Sequence, residues 1–125
     1  MHKGLLKTAA LLMTMAVALG AFGAHVLKTH LDQNSLAIFE TGVKYQFYHA
    51  LSLLACGILY KEFSSKKLIW AARMFVIGIV FFSLSLYALA LLLPDYGFLG
   101  AITPLGGLSF IVGWLLLFAA INEKK

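Results

Sequence analysis

The uncharged stretch MFVIGIVFFSLSLYALALLLP, residues 74–94, decides which kind of fold this chain adopts. A second uncharged stretch, YGFLGAITPLGGLSFIVGWLLLFAAIN, follows at residues 96–122. Each is longer than the roughly 18 apolar residues that indicate a membrane-spanning helix. Helices are the expected form, because the bilayer core offers no water to the peptide N–H and C=O groups. The two stretches therefore predict an integral membrane protein.

The composition of the whole chain agrees with this prediction. Its 125 residues are 62% hydrophobic and 12% charged, whereas soluble domains are about 45–50% apolar and about 25% charged. A net charge of +5 also occurs in nucleic-acid-binding proteins. Here the charges flank the apolar stretches, so we interpret them as interface anchors and expect the lipid bilayer, not nucleic acid, as partner. Cys56, the single cysteine, is interpreted as a packing residue.

Four spans are predicted in a single domain of residues 1–125, at about residues 5–26, 43–60, 68–93 and 104–121. The first span has basic residues ahead of it and small residues near its end, as a signal peptide does. Its apolar run is longer than most signal cores, so we expect it to be retained. Short loops make successive helices antiparallel neighbours. The predicted fold class is all-α, an integral membrane four-helix bundle.

The second span has a helical extension before it. Apolar residues recur at helical spacing from Leu36, which predicts a helix from about Leu36 to Tyr60 with its first turns at the membrane interface. Asn34 or Ser35 is the expected N-cap.

Turn signals separate the last two spans. Residues 94–97, Pro-Asp-Tyr-Gly, predict a turn after the third span. Thr103 as N-cap and Pro104 at the first helical position predict the start of the fourth span, since proline lacks only an N–H that would be unpaired there.

The lysines and arginines predict the orientation. With four spans, the N-terminus, the second loop and the C-terminus share one side, which carries eight of the ten basic residues. Only Lys28 and Lys44 lie on the other side. Because cytoplasmic segments are enriched in Lys and Arg, both termini are expected in the cytoplasm of a cell (inner) membrane protein.

Small residues at helical spacing predict where the spans approach one another. Lipid gives helices no hydrophobic reason to associate, so close packing through small residues supplies the contact. Two interpretations stay open: packing within one subunit, or a seam that forms a homo-oligomer. The residues concerned are Ala16, Gly20, Gly23, Ala24, Gly78, Ser85, Gly106, Gly107, Ser109 and Gly113.

Most of the chain's polar chemistry lies between His25 and His49. Ionisable groups at a bilayer edge are costly and are therefore functional candidates. Polar residues recur every three or four positions on the second helix and so share one face. Two interpretations stay open: a stripe at the membrane interface that orients the helix, or the wall of a polar cavity. Glu40 and Lys44 are also spaced for an ion pair. The candidate polar cluster is His25, Glu40, Lys44, Tyr45, Gln46, His49 and Thr103.

One hypothesis is that His25 and His49 share a site at the outer face of the membrane, since one ends the first span and the other lies on the next. Lys28, His30 and Asp32 are interpreted as ordinary loop residues. The histidine spacing matches no zinc signature, and no haem-attachment motif is present. The sequence therefore predicts no metal, no cofactor and no catalytic residue.

Four motifs together resemble a known family. They are GAFGAH (residues 20–25), ETGVKYQFYHAL (40–51), FSLSLY (82–87) and ITPLGGLSFIVGW (102–114). In this order they resemble the domain-of-unknown-function 423 family of small bacterial membrane proteins, relatives of eukaryotic transmembrane protein 256. The resemblance implies a four-span inner-membrane protein and no particular activity. The family usually has glycine where this chain has Leu84. A tight helix contact, which a glycine would allow, is therefore not expected at this position.

Three functional hypotheses follow, in order of preference. The first is a non-enzymatic protein that binds a lipid, a small ligand or a membrane partner through the polar cluster. The second is a small oligomeric channel or transporter, in which His25, Tyr45, His49 and Thr103 line a water-accessible path. The third is a metal- or haem-binding redox protein.

Overall fold

A computed structural model describes residues 1–92 and 97–123, and most of them are helical. The helices are α1 (Lys3–His25), α2 (Gln33–Leu59), α3 (Lys66–Gly78), α4 (Leu84–Leu92) and α5 (Thr103–Asn122). A π-helical turn, Ile79–Ser83, joins α3 to α4, so these elements form one long helix. Short 3-10 helices cover Leu27–Thr29 and Gly97–Ala101. The described residues thus form four long helices, which confirms the predicted all-α fold.

The second helix is the central element of the bundle. α1 packs along one side of α2 and the α3–α4 helix along another, whereas α5 packs mainly against α3–α4. The long helices with the length and composition of membrane spans are Lys3–Thr29, Lys66–Leu92 and Phe98–Asn122. α2 is not among them because of its polar residues, and its predicted span, residues 43–60, stays a prediction.

Contacts at one end of the bundle bring three parts of the chain together. The backbone N–H of His2 donates to the carbonyl of Gly57 at 2.9 Å. Lys67 Nζ lies 3.1 Å from Glu123 Oε1. The N-terminus, the α2–α3 loop and the end of α5 therefore share one end, as an alternation of four spans requires.

The start of α2 differs from the prediction. The helix begins at Gln33, and its N-cap is Asp32, not Asn34 or Ser35. Asp32 Oδ1 accepts a hydrogen bond from the backbone N–H of Ser35 at 2.7 Å, as an N-cap carboxylate does. This bond lowers the pKa of Asp32 below its ordinary value of 3.8. Asp32 is therefore a helix cap and not an ordinary loop residue.

The start of α5 also differs. Thr103 is the first residue of the helix, and the N-cap is Ile102, which makes no side-chain cap bond. The hydroxyl of Thr103 instead lies 2.6 Å from Ser85 Oγ and joins α5 to α4. The predicted turn at residues 94–97 lies mostly outside the described residues.

The π turn is in close contact with a helix on each of two sides. A Cβ added to Gly106 of α5 would lie 2.7 Å from the Cα of Phe82 and nearer still to its nitrogen. A Cβ on Gly42 of α2 would lie 2.7 Å from the Tyr87 ring. Because only glycine lets helices approach this closely, Gly42 and Gly106 hold α2 and α5 against the two sides of the turn. Ser83 Oγ adds a hydrogen bond to the Gly42 carbonyl, at 2.7 Å.

Other predicted small residues also lie at contacts within the subunit. On α1, Gly20 approaches Val43 and Gly23 approaches Phe39. On the α3–α5 side, Gly78 lies against Phe110 and Gly113 against Phe75, while Ser109 Oγ donates to the carbonyl of Met74. Buried members of the set are Ala16, Gly23, Gly78, Ser85, Gly106, Ser109 and Gly113.

The remaining positions lie outside these tight contacts. Gly107 is half-buried and Ala24 is exposed. Leu84, the departure from the family motif, is 47% exposed on the outside of the bundle. A leucine fits there because about half of its side chain is free of contact with the described residues.

Candidate functional site

An open groove of about 650 Å³ lies between α2 and α5. Pockets that bind small molecules are typically about 300–1,000 Å³ and mostly apolar, with few polar groups. The groove has this character, because aromatic and aliphatic side chains form nearly all of its surface. It is lined by Tyr45, His49, Phe82, Pro104, Gly107, Leu108, Phe110, Ile111 and Trp114.

His49 forms part of the groove wall with both ring nitrogens engaged. The indole N–H of Trp114 donates to His49 Nε2 at 3.2 Å. Since Nε2 accepts, the hydrogen-bond network assigns the proton to Nδ1, which donates to the carbonyl of Tyr45 at 2.8 Å. The ring also stacks on Phe110, with centroids 3.5 Å apart and planes 8° from parallel. His49 is thus held rigidly by α2 and α5.

Tyr45 contributes the free polar group of the groove. Its ring packs on Phe82 with centroids 4.5 Å apart, and a neighbouring Tyr48 ring lies 5.9 Å away. The side chain is 36% exposed. Its hydroxyl has no hydrogen-bond partner among the described residues, so it offers one donor to a molecule in the groove.

Gln46, only one residue further along α2, lies away from the groove and is 1% exposed. Its Nε2 donates to the carbonyl of Leu12 on α1 at 2.8 Å. Its Oε1 accepts from the hydroxyl of Tyr87 on α4 at 2.6 Å. Gln46 therefore ties three helices together inside the bundle.

The structure does not bring His25 and His49 together, contrary to the prediction. Phe39 of α2 lies against Gly23, near the end of α1. His49 is ten residues beyond Phe39, which is about 15 Å along a helix. His25 is exposed and the groove contains no part of it. The reason is the antiparallel arrangement, in which each step into α2 leads away from the end of α1.

The other predicted cluster residues are dispersed as well. Glu40 and Lys44 are exposed, and the described residues include no ion pair between them. Thr103 joins Ser85 instead of the groove. Tyr45 and His49 alone among the predicted cluster line the groove, and His49 lies near the middle of α2, not at one membrane face.

A metal site is not formed by the described residues, since no three of their His, Cys, Asp or Glu side chains are grouped as ligands. The path predicted for a channel is not assembled within one subunit either, because the groove contains Tyr45 and His49 but neither His25 nor Thr103.

Apart from Gly107, which was predicted to lie at a helix contact, the groove residues of α5 were missed by sequence reasoning. Gly107, Phe110, Ile111 and Trp114 recur at helical spacing, which places them on one face. On a helix that is apolar all round, this face gives no contrast with the others. The one available signal was the indole N–H of Trp114, a buried or half-buried donor that usually finds a partner.

Comparison with known proteins identifies the family. A family model described as "Protein of unknown function (DUF423)" matches residues 19–107. The chain belongs to the DUF423 family. This family is also called UPF0382, and the match confirms the resemblance drawn from the four motifs. No solved structure matches the chain.

Several DUF423 relatives are similar over most of their length. A UPF0382 membrane protein of Staphylococcus saprophyticus is 50% identical, over 82% of this chain and 83% of its own. The UPF0382 membrane protein YwdK of Bacillus subtilis is 42% identical, over 85% of both chains. The UPF0382 inner membrane protein YgdD of Escherichia coli K12 is 39% identical, over 87% and 82%. This DUF423 protein is accordingly a multi-pass protein of the inner or cell membrane.

Proposed function

We propose that this DUF423 protein is a non-enzymatic membrane protein that binds one apolar chain of a membrane lipid in the groove between α2 and α5. The observation that carries the proposal is the groove itself, which is aromatic, open to the side and contains one free hydroxyl. The proposed ligand is a lipid of the surrounding bilayer and not a second protein.

The surroundings of the groove support a lipid. Leu108 and Ile111, which line its edge, are each 58% exposed in the isolated subunit. Side chains of this kind face hydrocarbon in a membrane protein, so the groove opens toward the lipid phase. The Tyr45 hydroxyl is a donor suited to an ester carbonyl at the end of an acyl chain.

The groove chemistry supports binding without catalysis. A general base needs a free nitrogen or carboxylate within reach of its substrate. Both nitrogens of His49 are engaged by Trp114 and Tyr45, and the described residues of the lining include no Asp, Glu, Cys or Ser.

Lipid retention tests this proposal. The protein is purified in mild detergent, and bound lipids are counted by native mass spectrometry. We expect wild type to retain lipid and Gly107→Phe to lose it. A Cβ at Gly107 would make only an ordinary contact with Phe82, 3.9 Å away, so a phenylalanine ring fits there and occupies the groove. Leu115→Phe is the matched control, since Leu115 is 63% exposed on the same helix and lies outside the groove. Equal retention by the two variants would refute the proposal.

We also propose that both termini are cytoplasmic. The end of the bundle shared by the N-terminus, the α2–α3 loop and the end of α5 carries most of the Lys and Arg residues, as cytoplasmic ends do. A membrane-impermeant maleimide applied to intact cells should label Lys28→Cys and not Lys61→Cys. The reverse labelling would show the opposite orientation.

A further inference from the structure

A second pocket, of about 560 Å³, lies at the opposite end from His25, where α2 passes into α3. We call it the basic pocket, because two cations and several hydroxyl groups line it and its described lining includes no carboxylate. It is formed by Tyr60, Ser64, Ser65, Lys66, Ile69, Trp70 and Arg73. The groove between α2 and α5 shares none of these residues, so the two cavities are independent.

The two cations of the basic pocket carry positive charge that no carboxylate of the described residues neutralises. Lys66 and Arg73 have no carboxylate partner among the described residues. The neighbouring Lys67 differs, because it is paired with Glu123 at 3.1 Å. The Arg73 guanidinium instead lies over the Trp70 ring, 4.9 Å from its centroid. Two uncompensated cations in a concave surface favour an anionic ligand.

The spacing of these cations suits a ligand at the membrane interface. Lys66 and Arg73 are seven residues apart on α3, so they share a face and are separated by about 10 Å along the helix axis. Trp70, between them, is 46% exposed, as is typical of an aromatic residue at headgroup level. The pocket therefore extends from the aqueous end of α3 into the interface.

The same helix face continues as an apolar strip beyond Arg73. Its exposed residues recur every three or four positions, the first in line with Trp70 and Arg73 on α3 and the others in and just after the π turn. They are Ile77, Val80, Phe81 and Leu84, each between 37% and 47% exposed. A water-soluble anion would make no contact with this strip, whereas the acyl chains of a lipid would lie along it.

We propose that the basic pocket binds the phosphate of an anionic phospholipid, with Lys66 and Arg73 contacting the headgroup and the acyl chains lying on the Ile77–Leu84 strip. Arg73 provides the planar, bidentate donors that match phosphate oxygens, and Lys66 provides a point charge. The Ser64 hydroxyl adds a neutral donor at the pocket rim. This site does not depend on the lipid proposed for the groove.

Native mass spectrometry of the full chain tests the site. Detergent-solubilised protein is titrated with phosphatidylglycerol and, separately, with phosphatidylcholine of the same acyl chains. We expect phosphatidylglycerol to bind about tenfold more tightly, and Lys66→Gln/Arg73→Gln to remove that preference, since each basic residue near an anionic lipid favours its binding. Lys61→Gln is the matched control, because it removes a charge from the same loop outside the pocket.

Four outcomes decide the proposal. Loss of the preference in the double variant, with Lys61→Gln unchanged, supports it. An equal loss in Lys61→Gln shows only general charge attraction and overturns it. Displacement of the lipid by an equal concentration of glycerol phosphate also overturns it, because the strip would then contribute nothing. Should the double variant fail to fold, Lys66→Gln alone must still weaken phosphatidylglycerol binding severalfold; unchanged binding overturns the site.

Discussion

Gln46 and His49 are buried polar residues one turn apart on α2, and their side chains bond to different helices. Gln46 lies inside the bundle, where Leu12 of α1 and Tyr87 of α4 satisfy its side-chain amide. His49 forms part of the wall of an open groove, and its buried ring packs against Phe110 of α5 and Phe75 of α3. Position on α2 thus separates a residue enclosed between α1 and α4 from one that joins α2 to α5 at the wall of an open groove.

Gly106 and Gly107 repeat this difference on α5. Gly106 touches the backbone of Phe82 and leaves no room for a Cβ, whereas Gly107 has ordinary space. The pair Gln46 and Gly106 represents the closed interior, and the pair His49 and Gly107 represents the groove. The lesson is that adjacent residues in an apolar helix acquire different roles according to which neighbour covers them.

The largest expected effect tests the two glycines. Gly106→Ala should lower the free energy of unfolding by about 3 kcal/mol, since overpacking against backbone forces the helices apart. Gly107→Ala should change it by less than about 0.5 kcal/mol, as substitutions outside tight contacts do. Unfolding in mixed micelles with increasing SDS measures both. Similar losses in the two variants would mean that the groove is closed at Gly107.

The next largest effect concerns the interior hydrogen bonds. Gln46→Leu should cost about 2 kcal/mol of unfolding free energy, because the buried Tyr87 hydroxyl loses its acceptor. Adding Tyr87→Phe should recover part of this loss, because it removes the unpaired group. A double-mutant cycle with Tyr87→Phe alone gives the coupling energy. A coupling near zero would contradict the role assigned to Gln46.

A smaller effect is expected at the groove wall. His49→Phe preserves an aromatic ring for Phe110 but removes the acceptor of the Trp114 N–H. Hydrogen bonds between membrane helices average about 0.6 kcal/mol, so stability should fall by less than about 1 kcal/mol. The fluorescence maximum of the protein should shift, with Trp70→Phe as background to isolate Trp114. A loss as large as that of Gln46→Leu would abolish the distinction between the two positions.

The smallest effect lies outside both regions, at the cap of α2. The pKa of Asp32 in the folded protein is lowered by its bond to the Ser35 N–H. The Asp32 carboxylate therefore stabilises the folded state fully above the unfolded pKa of 3.8, and this stabilisation is lost as the pH falls through the lower folded pKa. Asp32→Ala should therefore be less stable than wild type at pH 6, and the difference should shrink below pH 3. Asp32→Asn is the control, since its cap does not titrate. A pH-independent difference for Asp32→Ala would show that the carboxylate is not the cap.

Much of the fold could be predicted from the sequence. The long helices follow from uninterrupted apolar residues, and the helical spacing from Leu36 onward indicates α2 despite its polar residues. The predicted start of α2 was wrong because Asp32, Asn34 and Ser35 are all favourable caps. The π turn carries no local signal, since its residues, Ile79–Ser83, are as apolar as their neighbours.

The candidate site was only partly predictable. Tyr45 and His49 stood out because polar groups contrast with an apolar chain. His25 stood out for the same reason but lies far from His49. The sequence places both residues near a predicted membrane edge, but it does not show how far along α2 from that edge His49 lies. Phe82 gives no signal, since an aromatic residue in an apolar stretch looks the same whether it faces lipid, core or groove. Trp114 gives only the signal of its indole N–H.

The sequence by itself determined that this chain is helical, lies in a membrane and has its basic residues gathered toward one end, because hydropathy and charge act on each segment separately. Only the tertiary structure decided that Gln46 is enclosed, that His49 and Trp114 meet, and that Gly106 and Gly107 differ. Those outcomes depend on which helices approach one another and how closely, and that depends on contacts between residues far apart in the chain.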